Sequence, residues 1–102
     1  MLRSKITRQP TKSQFSIVVK AATFVVIRDE DIGRSVTNDA ENVLAYLIAQ
    51  QLLRPDQRLF YYDTQGHLDE IVHDNGRFIG FNVLTHEDRK TIRTLTTVEQ
   101  RL

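Results

Sequence analysis

The sequence has no cysteine, which removes disulfides, thiolate zinc sites and cysteine nucleophiles at a stroke. It also has no apolar run long enough for a bilayer. The richest stretch, Phe15 to Ile27, is broken by Ser16, Lys20 and Thr23, whereas a spanning helix needs about 20 apolar residues. The polar, basic N-terminus lacks the apolar core of a signal peptide. No serine or threonine sits in a nucleophile-elbow context, and no glycines gather into a phosphate loop. Internal repeats and low-complexity segments are missing too. A soluble, cytoplasmic protein without membrane contact is expected, and a reducing compartment suits the lack of cysteine.

What is present fits one domain. A chain of 102 residues buries roughly two thirds of its unfolded surface and needs no metal or disulfide staple. Its charge is unevenly spread. Residues 1–28 hold Arg3, Lys5, Arg8, Lys12, Lys20 and Arg28 and no acid, while the remainder has an acidic excess. Residues 1–12 read as a flexible basic arm ahead of a single α+β domain over 13–102. Arg3, Lys5, Arg8 and Lys12 are candidates for phosphate contacts with nucleic acid. Four cations without interleaved aromatics are equally the composition of a solvated tail.

The segment Arg58 to Leu84 carries the clearest pattern. Leu59 to Tyr62 is aromatic and aliphatic, as a half-buried strand requires. Asp63-Thr64-Gln65-Gly66 fits a type I turn closed by a glycine bulge. Leu68 to Val72 resumes the strand. Asn75-Gly76 is a type I′ hairpin signal, and Phe78 to Leu84 forms the third strand. With Asn75 and Gly76 as the loop, Asp74 faces Arg77, His73 faces Phe78, Val72 faces Ile79 and Glu70 faces Phe81. One face then carries Leu68, Glu70, Val72, Ile79, Phe81 and Val83. Neither face is polar, and a slip of one residue would exchange them.

Upstream, Gln14 to Arg28 reads as one long strand, or two with a bend near Lys20-Ala21-Ala22. Phe15, Ile17, Val19, Val25 and Ile27 share one parity; Val18, Phe24 and Val26 share the other. Asp29-Glu30-Asp31-Ile32-Gly33 reads as a solvated acidic loop, since its spacing matches no calcium loop. A helix is expected from Asn38, with Thr37 or Asn38 as N-cap and Glu41 completing a capping box, to about Leu53 before Pro55. Its apolar stripe is Val43, Leu44, Leu47, Ile48 and Leu52 or Leu53. Arg34, Ser35 and Thr37 before the helix start are candidates for anion binding, opposed by Asp39 and Glu41 in the first turn. A second helix is expected from His86 to Arg101, capped by Thr85, with Ile92, Leu95, Val98 and Leu102 as a narrow stripe.

Four residues of the meander are candidates for chemistry. His67, Asp69 and His73 share parity, but six residues of strand separate the histidines by about 20 Å, too far for one metal ion. Surface and turn histidines are the ordinary reading. Glu70 lies among apolar positions, so its carboxylate needs a partner or a raised pKa. As a catalytic acid it would work with His67 or His73; a salt bridge with Arg58, Arg77 or an arginine of the last helix is the preferred reading. Phe60, Tyr61 and Tyr62 could stack bases, but at strand spacing such residues are more often core. The order helix, three strands, helix over 38–101 resembles that of double-stranded RNA-binding domains, which carry a basic cluster where the last helix begins. Here that place reads His86-Glu87-Asp88-Arg89-Lys90, mixed in charge, so the likeness stops at element order.

The expected architecture is α+β: an antiparallel sheet of four to five strands, from an N-terminal strand or hairpin plus the meander, with one packed helix and a short C-terminal helix. Two apolar faces and one strongly amphipathic helix leave cover wanting. The C-terminal helix, curling of the sheet or another chain must supply it. The sequence thus points to an interaction module that self-associates through an apolar sheet face or the C-terminal helix, or binds another protein, without metal or cofactor. A nucleic-acid accessory protein using the basic arm and a small enzyme using Glu70 are the alternatives.

Overall fold

A sheet that is apolar on both faces needs a cover on each, and the chain supplies one helix per side. The computed structural model describes residues 15–30 and 35–101. In chain order the elements are β1 (Phe15–Lys20), β2 (Phe24–Asp29), α1 (Ala40–Ala49), β3 (Arg58–Tyr62), β4 (Leu68–Asp74), β5 (Arg77–Asn82) and α2 (His86–Arg101). The five strands lie in one sheet in sequence order. The expected α+β architecture, hairpin then meander, is the one observed. Three of the four strand pairs are antiparallel, but β2 and β3 run parallel. Parallel neighbours need a crossover connection, and α1 is that crossover.

Residue parity decides which core each side chain joins. Val25, Ile27, Leu59, Tyr61 and Ile71 pack with Val36, Val43, Leu44, Leu47 and Leu53 on the α1 side. Val26, Phe60, Tyr62 and Leu68 pack with Leu84 and Ile92 on the α2 side. The C-terminal helix therefore provides the second cover.

Two bulges correct the parity read from sequence. The β1–β2 register shifts between Ile17 and Val19. Phe15 and Ile17 remain on the α1 side, while Val19 joins Val26 and Phe60 opposite. The β4–β5 register shifts between Val72 and His73. Asp74 faces Arg77 and His73 faces Phe78 as expected. Beyond the bulge Val72 faces Gly80 rather than Ile79, Ile71 faces Phe81, and Glu70 faces Asn82 rather than Phe81. One extra residue on a strand reverses every side chain after it. Phe81 thereby shares the α1 side with Phe78, their ring centroids 5.2 Å apart.

Helix α1 is shorter than its apolar stripe suggests. Residues 36–39 form turns, and the helix starts at Ala40 with Asp39 as N-cap and no side-chain capping bond. Neither Thr37 nor Asn38 caps it. At the far end Gln51 adopts φ 60°, and the Leu52 N–H reaches back to the Leu47 carbonyl at 2.8 Å. A left-handed residue of this kind closes a helix by satisfying its last carbonyls, so the helix ends at Ala49 and Leu53 is buried from the following loop.

Helix α2 begins where Thr85 places it, its Oγ1 accepting the Asp88 N–H at 3.1 Å. Among its described side chains the buried positions are Ile92 and Thr96, whereas Leu95 is exposed; Val98 and Leu102 lie outside them. The packed line thus follows the i, i+4 row. Thr96 is tolerated because its hydroxyl donates to the Ile92 carbonyl at 2.9 Å and accepts from Tyr62 at 3.3 Å. Arg89 fastens the helix to the sheet through the Leu68 carbonyl at 2.6 Å and the Asp69 carboxylate at 3.3 Å.

Candidate functional site

The residues singled out for chemistry are held by structural partners. Glu70 lies on the α2 side of β4, buried, and accepts two hydrogen bonds from the Arg58 guanidinium at 3.0 and 2.8 Å. The Asn82 amide donates a third at 3.1 Å. Burial pushes the carboxyl up, but the Arg58 and Asn82 hydrogen bonds and the Arg58 charge outweigh it and hold Glu70 below the usual range. Bonding to Glu70 in turn raises Arg58 against the lowering effect of burial. This is the salt bridge the sequence favoured, with Arg58 as the partner.

The histidines do not join Glu70 in a cluster. His67 is exposed in the β3–β4 turn and pairs with Asp63 at 3.3 Å. Burial works upward on Asp63, yet the backbone N–H groups of His67 and Gln65 hold it below its ordinary value. His73 sits at the other hairpin, where its Nδ1 accepts the Gly76 N–H at 2.9 Å and its Nε2 donates to the Gln57 carbonyl at 2.6 Å. Those two bonds fix the neutral tautomer protonated on Nε2. Asp69 pairs with Arg89. None of Glu70, His67 and His73 hydrogen-bonds another, and among the described residues no group of three His, Asp or Glu side chains is placed to hold a metal ion.

The other candidates fare as follows. Before α1, the buried Asp29 carboxylate accepts the Val36 N–H at 3.0 Å, so the chain's own anion serves that turn. Ser35 Oγ accepts from the Asn38 N–H at 3.4 Å, and Thr37 lies 3.5 Å from the Tyr61 hydroxyl. Arg34, Arg3, Lys5, Arg8 and Lys12 lie outside the described residues. Phe60, Tyr61 and Tyr62 are buried and present no open stacking platform. No helix among the described residues is long and apolar enough to cross a membrane.

Gln57 carries a role that no sequence pattern marks. It is buried, and its amide ties its own loop to the β1–β2 turn. Oε1 accepts the Arg54 N–H at 2.8 Å, while Nε2 donates to the carbonyls of Ala21 at 2.9 Å and Ala22 at 3.2 Å. Glutamine in a short loop carries no pattern that announces such a role. Only the distant carbonyls define it.

The surface feature left unexplained is the margin of the sheet at β5. This strand neighbours β4 alone, so one row of its N–H and C=O groups has no strand partner among the described residues. Its large apolar residues stand in solvent: Ile79 is 56% exposed, Phe81 46%, and Val83 just beyond it 77%. Phe81 also leans on the ring of Tyr61, with centroids 6.2 Å apart. Phe78 and Phe81 form the apolar wall of an open 210 Å³ crevice whose other side is the stretch Thr37–Asn42. Arg77 is the single charge on the strand.

Comparison with models of known families, with curated proteins and with solved structures finds no match to this chain.

Proposed function

We propose that the protein is an interaction module without catalysis of its own, which self-associates through the apolar side chains along β5. The observation that carries this reading is the concentration of exposed Ile79, Phe81 and Val83 on and just after a strand that has a neighbour on one edge only among the described residues. Exposed edges are usually guarded by charge, proline or brevity. Here one arginine and a bulge are the guards, and three apolar residues accompany them. Contiguous exposed apolar surface of this kind marks a contact site. The sequence argument for a missing cover is met at β1 to β4 by α2, so the unshielded surface narrows to β5.

Static light scattering on the purified chain tests the reading. Wild type sediments and scatters as a dimer in the micromolar range, and Phe81→Lys shifts it to monomer with its circular dichroism unchanged. A strictly monomeric wild type at high micromolar concentration rejects self-association.

A further inference from the structure

We infer that the partner on this edge is a second copy of the chain, added strand to strand: β5 pairs antiparallel with β5 about a two-fold axis between Ile79 and Gly80, continuing one sheet across both copies. This inference rests on the self-association proposed above and specifies its mode.

Three features of β5 argue for self-pairing. First, a two-fold axis perpendicular to the sheet keeps the α1 side of both copies on the same side, so facing residues must come from the same face. In a regular strand Phe78 and Phe81 would point to opposite faces. The bulge places both on the α1 side, where they already touch. An axis between Ile79 and Gly80 then sets Phe78 of each copy opposite Phe81 of the other. Facing aromatics are among the favourable cross-strand pairs. Second, the same register brings Ile79 opposite Gly80, where a side chain would meet nothing within 4 Å. The bulky residue of one copy thus faces the open space of the other.

Third, the charges complement. In the β4–β5 register Arg77 lies opposite Asp74, on the face opposite Phe78, and Asn82 lies opposite Glu70. Two-fold pairing sets Arg77 of one copy beside Asn82 of the other. The Asn82 amide is already bonded to the Glu70 carboxylate at 3.1 Å, about one strand spacing further in. Each arginine therefore approaches a carboxylate across the seam. Because Arg77 is the only charge on β5 and lies at its start, the two-fold puts the two arginines at opposite ends, and no like charges oppose. The unmet N–H and C=O groups of each edge satisfy those of the other, which is the main-chain source of affinity in strand addition.

The cysteine-free sequence makes the register directly readable. Phe78→Cys and Phe81→Cys proteins are mixed in equal amounts and oxidised with copper phenanthroline, alongside each variant alone. Facing residues lie about 5 Å apart, within disulfide reach, while Phe81 and its own symmetry mate lie about 10 Å apart, beyond it. The mixture is expected to yield at least five times more covalent dimer than either variant alone. Arg77→Cys mixed with Asn82→Cys repeats the test with exposed residues on the other face, should loss of the half-buried Phe78 harm folding. Thr94→Cys on α2 serves as the uncrosslinked control.

A wild type that is dimeric by light scattering but gives no excess of mixed cross-links in either pair overturns strand pairing while leaving self-association standing. A monomeric wild type overturns both. A monomer whose β5 takes up an extended peptide assigns the edge to a foreign strand and likewise overturns the inference.

Discussion

The Gln57 carbonyl accepts the Nε2 proton of His73 at 2.6 Å, while the Gln57 side chain reaches the opposite way to the β1–β2 turn. One residue thus links the loop before β3 to the β1–β2 and β4–β5 hairpins. These contacts are far apart in sequence, so they form only when the sheet is assembled.

Gln57→Ala leaves the Arg54 N–H and the Ala21 carbonyl without their partner, while the Ala22 carbonyl keeps its bond from the Arg54 guanidinium at 2.6 Å. The expected loss is about 2–3 kcal/mol, read from urea unfolding, because unsatisfied buried groups bear the full desolvation cost. Gln57→Glu keeps the shape but replaces the donor with a charge facing carbonyls, and is expected to be at least as damaging. If both variants unfold with the wild type, the tie contributes nothing.

Glu70 makes stability depend on acid. Its carboxyl is held below the ordinary value in the folded chain by Arg58 and Asn82. A group with a depressed folded pKa stabilises fully above the unfolded value and loses that contribution as pH falls through the folded one. Glu70→Gln should therefore cost about 1 kcal/mol near neutral pH, a modest figure because Arg58 is half exposed and screened by solvent. The difference from wild type should shrink from the ordinary glutamate range downward. Urea unfolding as a function of pH reads both effects, and a constant gap across acid pH contradicts the assignment.

Two glycines in turns distinguish backbone strain from crowding. Gly66 and Gly76 have φ of 86° and 90°, which side chains disfavour. At Gly66 an added Cβ meets nothing, whereas at Gly76 it meets Ile48 Cγ1 at 3.2 Å. Gly66→Ala should cost about 1 kcal/mol from the backbone alone. Gly76→Ala should cost more, and the excess should fall when Ile48 is replaced by Ala, which removes both Cγ1 and Cδ1 from the contact. Equal costs would show that Ile48 yields freely.

The docking of α2 is tested by contrast along one helix. Ile92→Ala removes a buried side chain from the core shared with Phe60 and Leu68 and should cost about 2–4 kcal/mol. Leu95→Ala, on a residue 39% exposed, should cost well under about 1 kcal/mol. Thermal unfolding of the two variants decides it. The reverse order would place the other side of the helix on the sheet.

Much of this architecture is legible in the sequence because turn chemistry and capping are local. Asn75-Gly76 and Asp63 to Gly66 mark both meander turns, and Thr85 marks the start of α2. The bulges are not legible: nothing in VHDNGRFIG says that Ile79 is the extra residue, and a single inserted position moved Phe81 and Asn82 to the other faces. The parallel β2–β3 pair was hidden because strand direction depends on where α1 returns the chain. For the site, the Glu70–Arg58 pair could be anticipated from an acid among apolar neighbours. Gln57 could not, since its partners are main-chain carbonyls of a distant turn.

The central claim is that β5 is a contact edge. Sedimentation velocity of wild type and Phe81→Lys from low to high micromolar concentration tests it most directly. Wild type is expected to move from one chain mass to two as concentration rises, while the variant stays at one. A wild type that remains a single chain throughout, or a variant that dimerises equally well, contradicts it.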